Sequence, residues 1–196
     1  NAGSSVAQFI DGGLDVPYAI AVDSSQNVWV ANNGVSNSVS KFSNTGTAAS
    51  LTGFTGGGIN EAFGVVLDAN NDAWVSNFGA SSVSELNNSG SPLSGAGYSA
   101  PAPVSALAVD GDNTLWTANS DGSISHLTSN GAAISPGTGY ISAGATGEVG
   151  IAIDASGNVW TTDNYVNSLF EYVGAAAPAV VPFQQAVKTN RIGQRP

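Results

Sequence analysis

The residues able to do chemistry are few and mostly acidic. The 196-residue chain has 14 Asp and Glu, four Lys and Arg, one His and no Cys. Without cysteine there is no disulfide frame and no thiolate metal site. The acids and amides recur at regular places. Asp15, Glu61 and Glu148 form one set, and Asn32, Asn77, Asn119, Asp121 and Asp163 form another. Gathered at one mouth, such oxygens could hold a hard cation, Ca2+ or Mg2+, or bind a polyol. Spread along a solvated face, the same residues would cap loops through their own backbone.

His126 is the only histidine. The matching place in the other repeats, described below, holds Lys41, Glu85 and Glu171. A column of such residues on an alternating strand reads as facing water, which makes His126 a surface residue. With no second histidine and no Ser-His-Asp grouping to build on it, no catalytic residue is assigned. Asp68-Ala-Asn-Asn-Asp72 and Asp110-Gly-Asp-Asn113 offer oxygen ligands at short spacing. Neither has the full calcium-loop spacing with an acid at the twelfth position, so both read as turns.

The frame that positions these residues is a repeat. Trp29, Trp74, Trp116 and Trp160 each follow an aspartate by six residues: Asp23, Asp68, Asp110 and Asp154. Asn32, Asn77, Asn119 or Asp163 comes three residues after each tryptophan. The aspartates are 45, 42 and 44 residues apart, so one unit of about 44 residues occurs four times. Such a period points to propeller blades. Short apolar runs such as Tyr18-Ala-Ile-Ala-Val-Asp23 predict a first strand buried on both faces. A polar turn follows, then a second strand carrying the tryptophan. The third strand, Ser38–Phe42 and its counterparts, alternates polar and apolar residues.

Phe54, Tyr98 and Tyr140 mark a fourth strand, and Phe9 marks the same element ahead of the first unit. The fold class is therefore all-β, a propeller of four repeats over residues 1–173, with a basic tail at 174–196. The strand near Ser5–Ile10 is expected to pair with Ser168–Tyr172 and close the last blade, within one chain or between two, which leaves no bare edge. The tryptophans could stack on sugars, but their fixed place in apolar strands assigns them to packing between blades.

The pattern Pro17-Tyr-Ala-Ile-Ala-Val-Asp, then Val-Trp-Val-Ala-Asn and Ser-Val-Ser, resembles the NHL and streptogramin-lyase-like (virginiamycin B lyase-like) β-propeller repeats over residues 5–173. The resemblance implies the propeller fold. Lyases of this group rely on histidine acid–base chemistry and a bound metal ion, and one histidine cannot supply that. Gluconolactonase-like propellers hold a metal at the channel with carboxylates and Asn, which the acid and amide sets above could imitate. Four units are fewer than the group usually carries.

Charge narrows the partners. Residues 1–173 carry −13 and residues 174–196 carry +3. So acidic a body repels a phosphate backbone, which argues against nucleic acid. No run of 18 apolar residues is present to span a membrane. The chain contains no methionine and begins at Asn1, which suggests a processed end and an exported, bacterial protein, secreted or at the cell surface. In the tail, Val180, Val181, Phe183, Lys188, Arg191 and Arg195 could dock on an acidic body, more readily a neighbour's. The expected function is a non-enzymatic binding or scaffold module, partnered by copies of itself or by a surface protein or glycan. The alternative is a metal-dependent lactonase- or lyase-like enzyme using the carboxylate/Asn face.

Overall fold

The computed structural model describes residues 7–179. All regular structure in them is β, in four antiparallel sheets. Blade 1 is β1 (Pro17–Val22), β2 (Val28–Asn32) and β3 (Ser38–Phe42). Blade 2 is β4 (Ala62–Leu67), β5 (Ala73–Asn77), β6 (Ser82–Leu86) and β7 (Tyr98–Ser99). Blade 3 is β8 (Val104–Val109), β9 (Leu115–Asn119), β10 (Ser123–Leu127) and β11 (Tyr140–Ile141). Blade 4 is β12 (Glu148–Ile153), β13 (Val159–Asp163) and β14 (Ser168–Tyr172). Strands follow one another as a meander, and Phe54 adds a single bridge to Val39 where blade 1 would have its fourth strand.

The six-residue step from Asp to Trp has a local cause. Asp23 ends the first strand, and its Oδ1 accepts from the turn amides of Ser25 (2.9 Å) and Asn27 (2.8 Å). Its Oδ2 then meets the indole N–H of Trp29, second residue of the next strand, at 3.3 Å. The pair recurs at 3.5 Å (Trp74–Asp68), 3.1 Å (Trp116–Asp110) and 3.0 Å (Trp160–Asp154). Each aspartate thus caps its hairpin and satisfies a buried donor.

Each ring leans on the next blade. Trp29 packs with Val65, Val75 and Leu86, Trp74 with Leu107, Leu115 and Leu127, and Trp116 with Ile153 and Val159. These three indoles are at most 1% exposed. Burying an aromatic ring of this size stabilises by roughly 4–6 kcal/mol. Trp160 has no following blade and is only half-buried.

Four blades form an arc with two free ends. β1 packs on β4, β4 on β8 and β8 on β12, and no comparable packing brings β12 back to β1. The expected closing strand is not in place. Residues 7–10 form no strand, and blade 4 ends at β14. Ser5 and Val6 lie outside the described residues. So do the tail candidates Val180, Val181, Phe183, Lys188, Arg191 and Arg195. The described start of the tail lies on the body of its own chain. The Ala176 amide donates to the Gly157 carbonyl (2.9 Å), and the Gly111 amide donates to the Ala177 carbonyl (3.3 Å), tying residues 176–179 across the turns of blades 3 and 4.

Candidate functional site

The two sets of links share one face of the arc. The Asn33 amide donates to the Val16 carbonyl (3.0 Å), Phe78 to Glu61 (3.1 Å) and Ser120 to Pro103 (2.9 Å). The residues predicted for that face are there, but most serve the fold. Asn32, Asn77 and Asn119 end the second strands and are fully buried. Each side-chain amide donates to two serine hydroxyls of the third strand: Ser38 and Ser40, Ser82 and Ser84, Ser123 and Ser125. Their oxygens accept from the Asp15 amide (3.3 Å), the Asn60 amide (3.1 Å) and the Thr117 hydroxyl (2.9 Å). Asp15 accepts from the Ser36 amide (2.9 Å), and Glu61 is exposed.

Asp163 stands in the asparagine column and takes up four loop amides: Thr146, Gly147, Tyr165 and Val166. Burial works against its charge, but these donors hold the carboxyl at about 2. Asp121 accepts from the Ser123 amide and hydroxyl at 3.0 and 2.6 Å. Asn32, Asn77, Asn119, Asp121 and Asp163 thus take donors from their own hairpins and loops.

Glu148 is different. It is 0% exposed, and its Oε2 is the one buried side-chain N or O atom without a partner among the described residues. Its Oε1 accepts from the hydroxyls of Thr161 (2.8 Å) and Tyr172 (3.2 Å). Burial is the main cause that raises its carboxyl to about 7, with the charges of Asp163 and Asp121 adding to it. Tyr172 is pushed well above the ordinary phenol range by burial and by Glu148. Asp121, Glu148 and Asp163 are thus the members of the predicted set brought close to one another; Asp15 and Glu61 stay with blades 1 and 2.

The repeat makes Glu148 stand out. Its counterparts are Pro17, Ala62 and Val104, those of Thr161 are Val30, Val75 and Thr117, and those of Tyr172 are Phe42, Leu86 and Leu127. The strip that is almost wholly apolar between blades 1 and 2 and between 2 and 3 is polar between blades 3 and 4. A propeller blade needs no acid there, since Ala62 and Val104 pack without one.

Beside this strip lies a cleft of about 630 Å³, walled by Trp116, His126, Tyr140 and Tyr172. His126 is not the surface residue its column implied. It is half-buried, stacks on Trp116 with ring centroids 3.9 Å apart, and its Nε2 is 2.7 Å from the Thr114 hydroxyl. Burial lowers its pKa below the usual 6.5, with Asp110 opposing. Thr161 and Tyr172 were not candidates from sequence. Comparing columns across repeats singles out only the added hydroxyl of Tyr172 over Phe42, Leu86 and Leu127, because Thr161 has Thr117 as a counterpart.

At the opposite end of the blades, Asp68, Asp72 and Glu85 bring carboxylate oxygens within 4.8 Å of one another. Asp68 and Glu85 are buried, and burial raises the pKa of both Asp72 and Glu85. Asp68 and Asp72 were read as turn residues, and turn amides do occupy Asp68: those of Asn70 (2.8 Å) and Asp72 (2.9 Å). Glu85 accepts from the Tyr98 hydroxyl at 2.8 Å. In blade 1, Lys41 occupies the Glu85 position, 3.6 Å from Asp23 and 4.5 Å above the Trp29 ring.

No family model matches the chain. No curated protein matches it in sequence. Its fold is that of known propellers. A streptogramin B lyase structure matches with a TM-score of 0.64 and 17% identity over 87% of this chain and 59% of the lyase chain. The gluconolactonase XC5397 from Xanthomonas campestris matches with a TM-score of 0.65 and 18% identity, over 83% of this chain and 62% of its own. The computationally designed Ika4 protein matches with a TM-score of 0.62 and 13% identity, over 86% of this chain and 99% of its own. The chain therefore spans about three-fifths of the length of the lyase and gluconolactonase. These matches correct the expectation of a non-enzymatic module. The architecture is one on which a lyase and a gluconolactonase are built, and nothing in the matches favours a scaffold. The resemblance read from the repeats holds at the level of fold: this chain shares the propeller of streptogramin B lyase and gluconolactonase.

Proposed function

We propose that this chain carries the proton-transfer group of a propeller enzyme that opens cyclic esters, with Glu148 as that group. One observation supports this most directly: a buried carboxyl poised at about 7, with one oxygen unpartnered, where other repeats have Ala62 and Val104. A carboxyl tuned near neutrality is suited to general acid–base work. In the reaction, Glu148 takes a proton from water through the Tyr172 hydroxyl, which donates to its Oε1 and lines the cleft. The resulting hydroxide adds to the ester carbonyl. The ring C–O bond then breaks, and the proton returns by the same path to the leaving oxygen. Thr161 is a positioning residue that holds Oε1. Trp116, Tyr140 and Tyr172 offer apolar walls for the ring of a substrate in the cleft. Names of structural neighbours add to this reading without fixing the substrate.

The test is turnover of gluconolactone and of streptogramin B by the whole chain across pH. Opening of one of them is expected, with a rate that rises through about pH 7 and falls on the order of 100-fold or more in Glu148→Gln. Absence of turnover on both, or full activity in a folded Glu148→Gln variant, would reject the proposal.

A further inference from the structure

The free ends of the arc are the two halves of a blade–blade interface, and they occur on one chain. On blade 1, Ile20 is 68% exposed, whereas its counterparts Val65 and Leu107, each covered by the preceding blade, are 6% and 7% exposed. Ile20 lines, with Phe9 and Phe42, an apolar cleft of about 480 Å³. On blade 4, Leu169 is 61% exposed, whereas its counterparts Val39, Val83 and Ile124, each covered by the following blade, are fully buried. Blade 4 lacks a cover for its tryptophan, and blade 1 lacks a blade before it.

Phe9 identifies what is missing between them. Phe54 bridges to Val39 and covers Trp29 at 6.1 Å. Tyr98 pairs with Val83 and covers Trp74 at 5.6 Å; Tyr140 pairs with Ile124 and covers Trp116 at 6.2 Å. Phe54 and Tyr98 also sit over a glycine of the next blade, Gly90 and Gly131, where an added side chain would strike the ring. Phe9 has that second contact, lying over Gly46 of blade 1, and reaches Phe42 at 6.1 Å. It has no tryptophan of its own to cover. By the same register its strand partner is a residue in the Leu169 column and its tryptophan is one in the Trp160 column.

We propose that the occupant of both ends is a second copy of this chain. Blade 4 of each copy docks on blade 1 of the other, and residues around Phe9 add the fourth strand to the partner copy's β14. Two copies then form one closed ring of eight blades, with the interface of blades 1 to 4 repeated at both junctions. Closure by strand addition removes the exposed sheet faces and the bare edge of β14. This rests on the end faces alone and is independent of the role given to Glu148.

The chain has no cysteine, so two introduced ones report the junction unambiguously. Residues directly opposite on paired strands are within disulfide reach. In the Phe9→Cys/Leu169→Cys variant, oxidised glutathione accepts the two electrons as the thiols join. A covalent dimer on a non-reducing gel is expected, with none from either single variant, and light scattering of the unmodified chain should give twice the chain mass. Ile20→Arg, at an exposed position, should give a folded monomer by circular dichroism and light scattering. A monomeric unmodified chain overturns the proposal. So does a disulfide formed within one chain, or a series of larger multimers. A dimer that persists in Ile20→Arg also overturns it, because the contact would then lie elsewhere.

Discussion

Glu148→Gln gives the most informative single measurement, because its effect on stability must change with pH. The carboxyl is raised from the ordinary 4.5 to about 7, mainly by burial. A group whose pKa is higher in the folded state keeps its proton there while the unfolded chain releases it. Wild-type stability from this group is therefore greatest below 4.5, falls as pH rises, and levels off above 7. A tenfold difference in proton affinity between the folded and unfolded chain corresponds to about 1.4 kcal/mol. Integrated between about pH 5 and pH 8.5, the wild type should lose about 2.5 kcal/mol through this one residue. Glutamine has the same shape, does not titrate, and can still accept from Thr161 and Tyr172. Its Nε2 has no acceptor, which costs about 1–3 kcal/mol at every pH. The variant should thus be the weaker protein near pH 5 and equal or exceed the wild type near pH 8.5. Asp163 is already ionised at about 2, and His126 titrates in both proteins, so neither enters the difference. Urea unfolding at a series of pH values, followed by tryptophan fluorescence, reads it directly. A difference between the two proteins that stays flat from pH 5 to 8.5 would refute the burial account of Glu148.

Further expectations follow from the same packing. Trp74→Ala should cost about 3–5 kcal/mol in urea unfolding, and Trp160→Ala measurably less when both are measured in the monomeric Ile20→Arg background, where Trp160 stays half-buried at the end of the arc. Lys41→Gln should destabilise by about 1–3 kcal/mol, since it removes the cation beside buried Asp23 while leaving the aspartate in place. The His126 imidazole, followed by NMR, should titrate below 6.5 because burial on Trp116 disfavours its charge; a midpoint at or above 6.5 would contradict that environment.

The contrast between what was and was not legible in the sequence has a physical basis. The Asp-to-Trp step of six could be read because its cause is local: one carboxylate caps the turn and meets the indole across the same hairpin. The Asn three residues beyond each Trp is equally local, ending the strand where two serines of the next strand face it. The same asparagines, read from sequence as part of a possible ligand set, are engaged in this way in all three repeats. A side chain that recurs with its serine partners in three repeats is committed to the hairpin, and only its departure in repeat 4, Asp163, breaks the rule.

Closure could be read only as a pairing of the Ser5–Ile10 region with Ser168–Tyr172, within one chain or between two; which of these holds depends on the rotation at each blade junction added over the whole arc, a quantity no single repeat encodes. Glu148 lies between these cases. Grouping it with Asp15 and Glu61 hid the comparison with Ala62 and Val104, which share its place at the start of the strand. Set in register, it is an acid in an otherwise apolar column, joined by a tyrosine whose counterparts Phe42, Leu86 and Leu127 carry no hydroxyl. Two coordinated departures from a repeat, meeting at 3.2 Å on one blade, are stronger grounds for a function than any number of acids spread along a solvated face. Packing alone would have kept the column aliphatic.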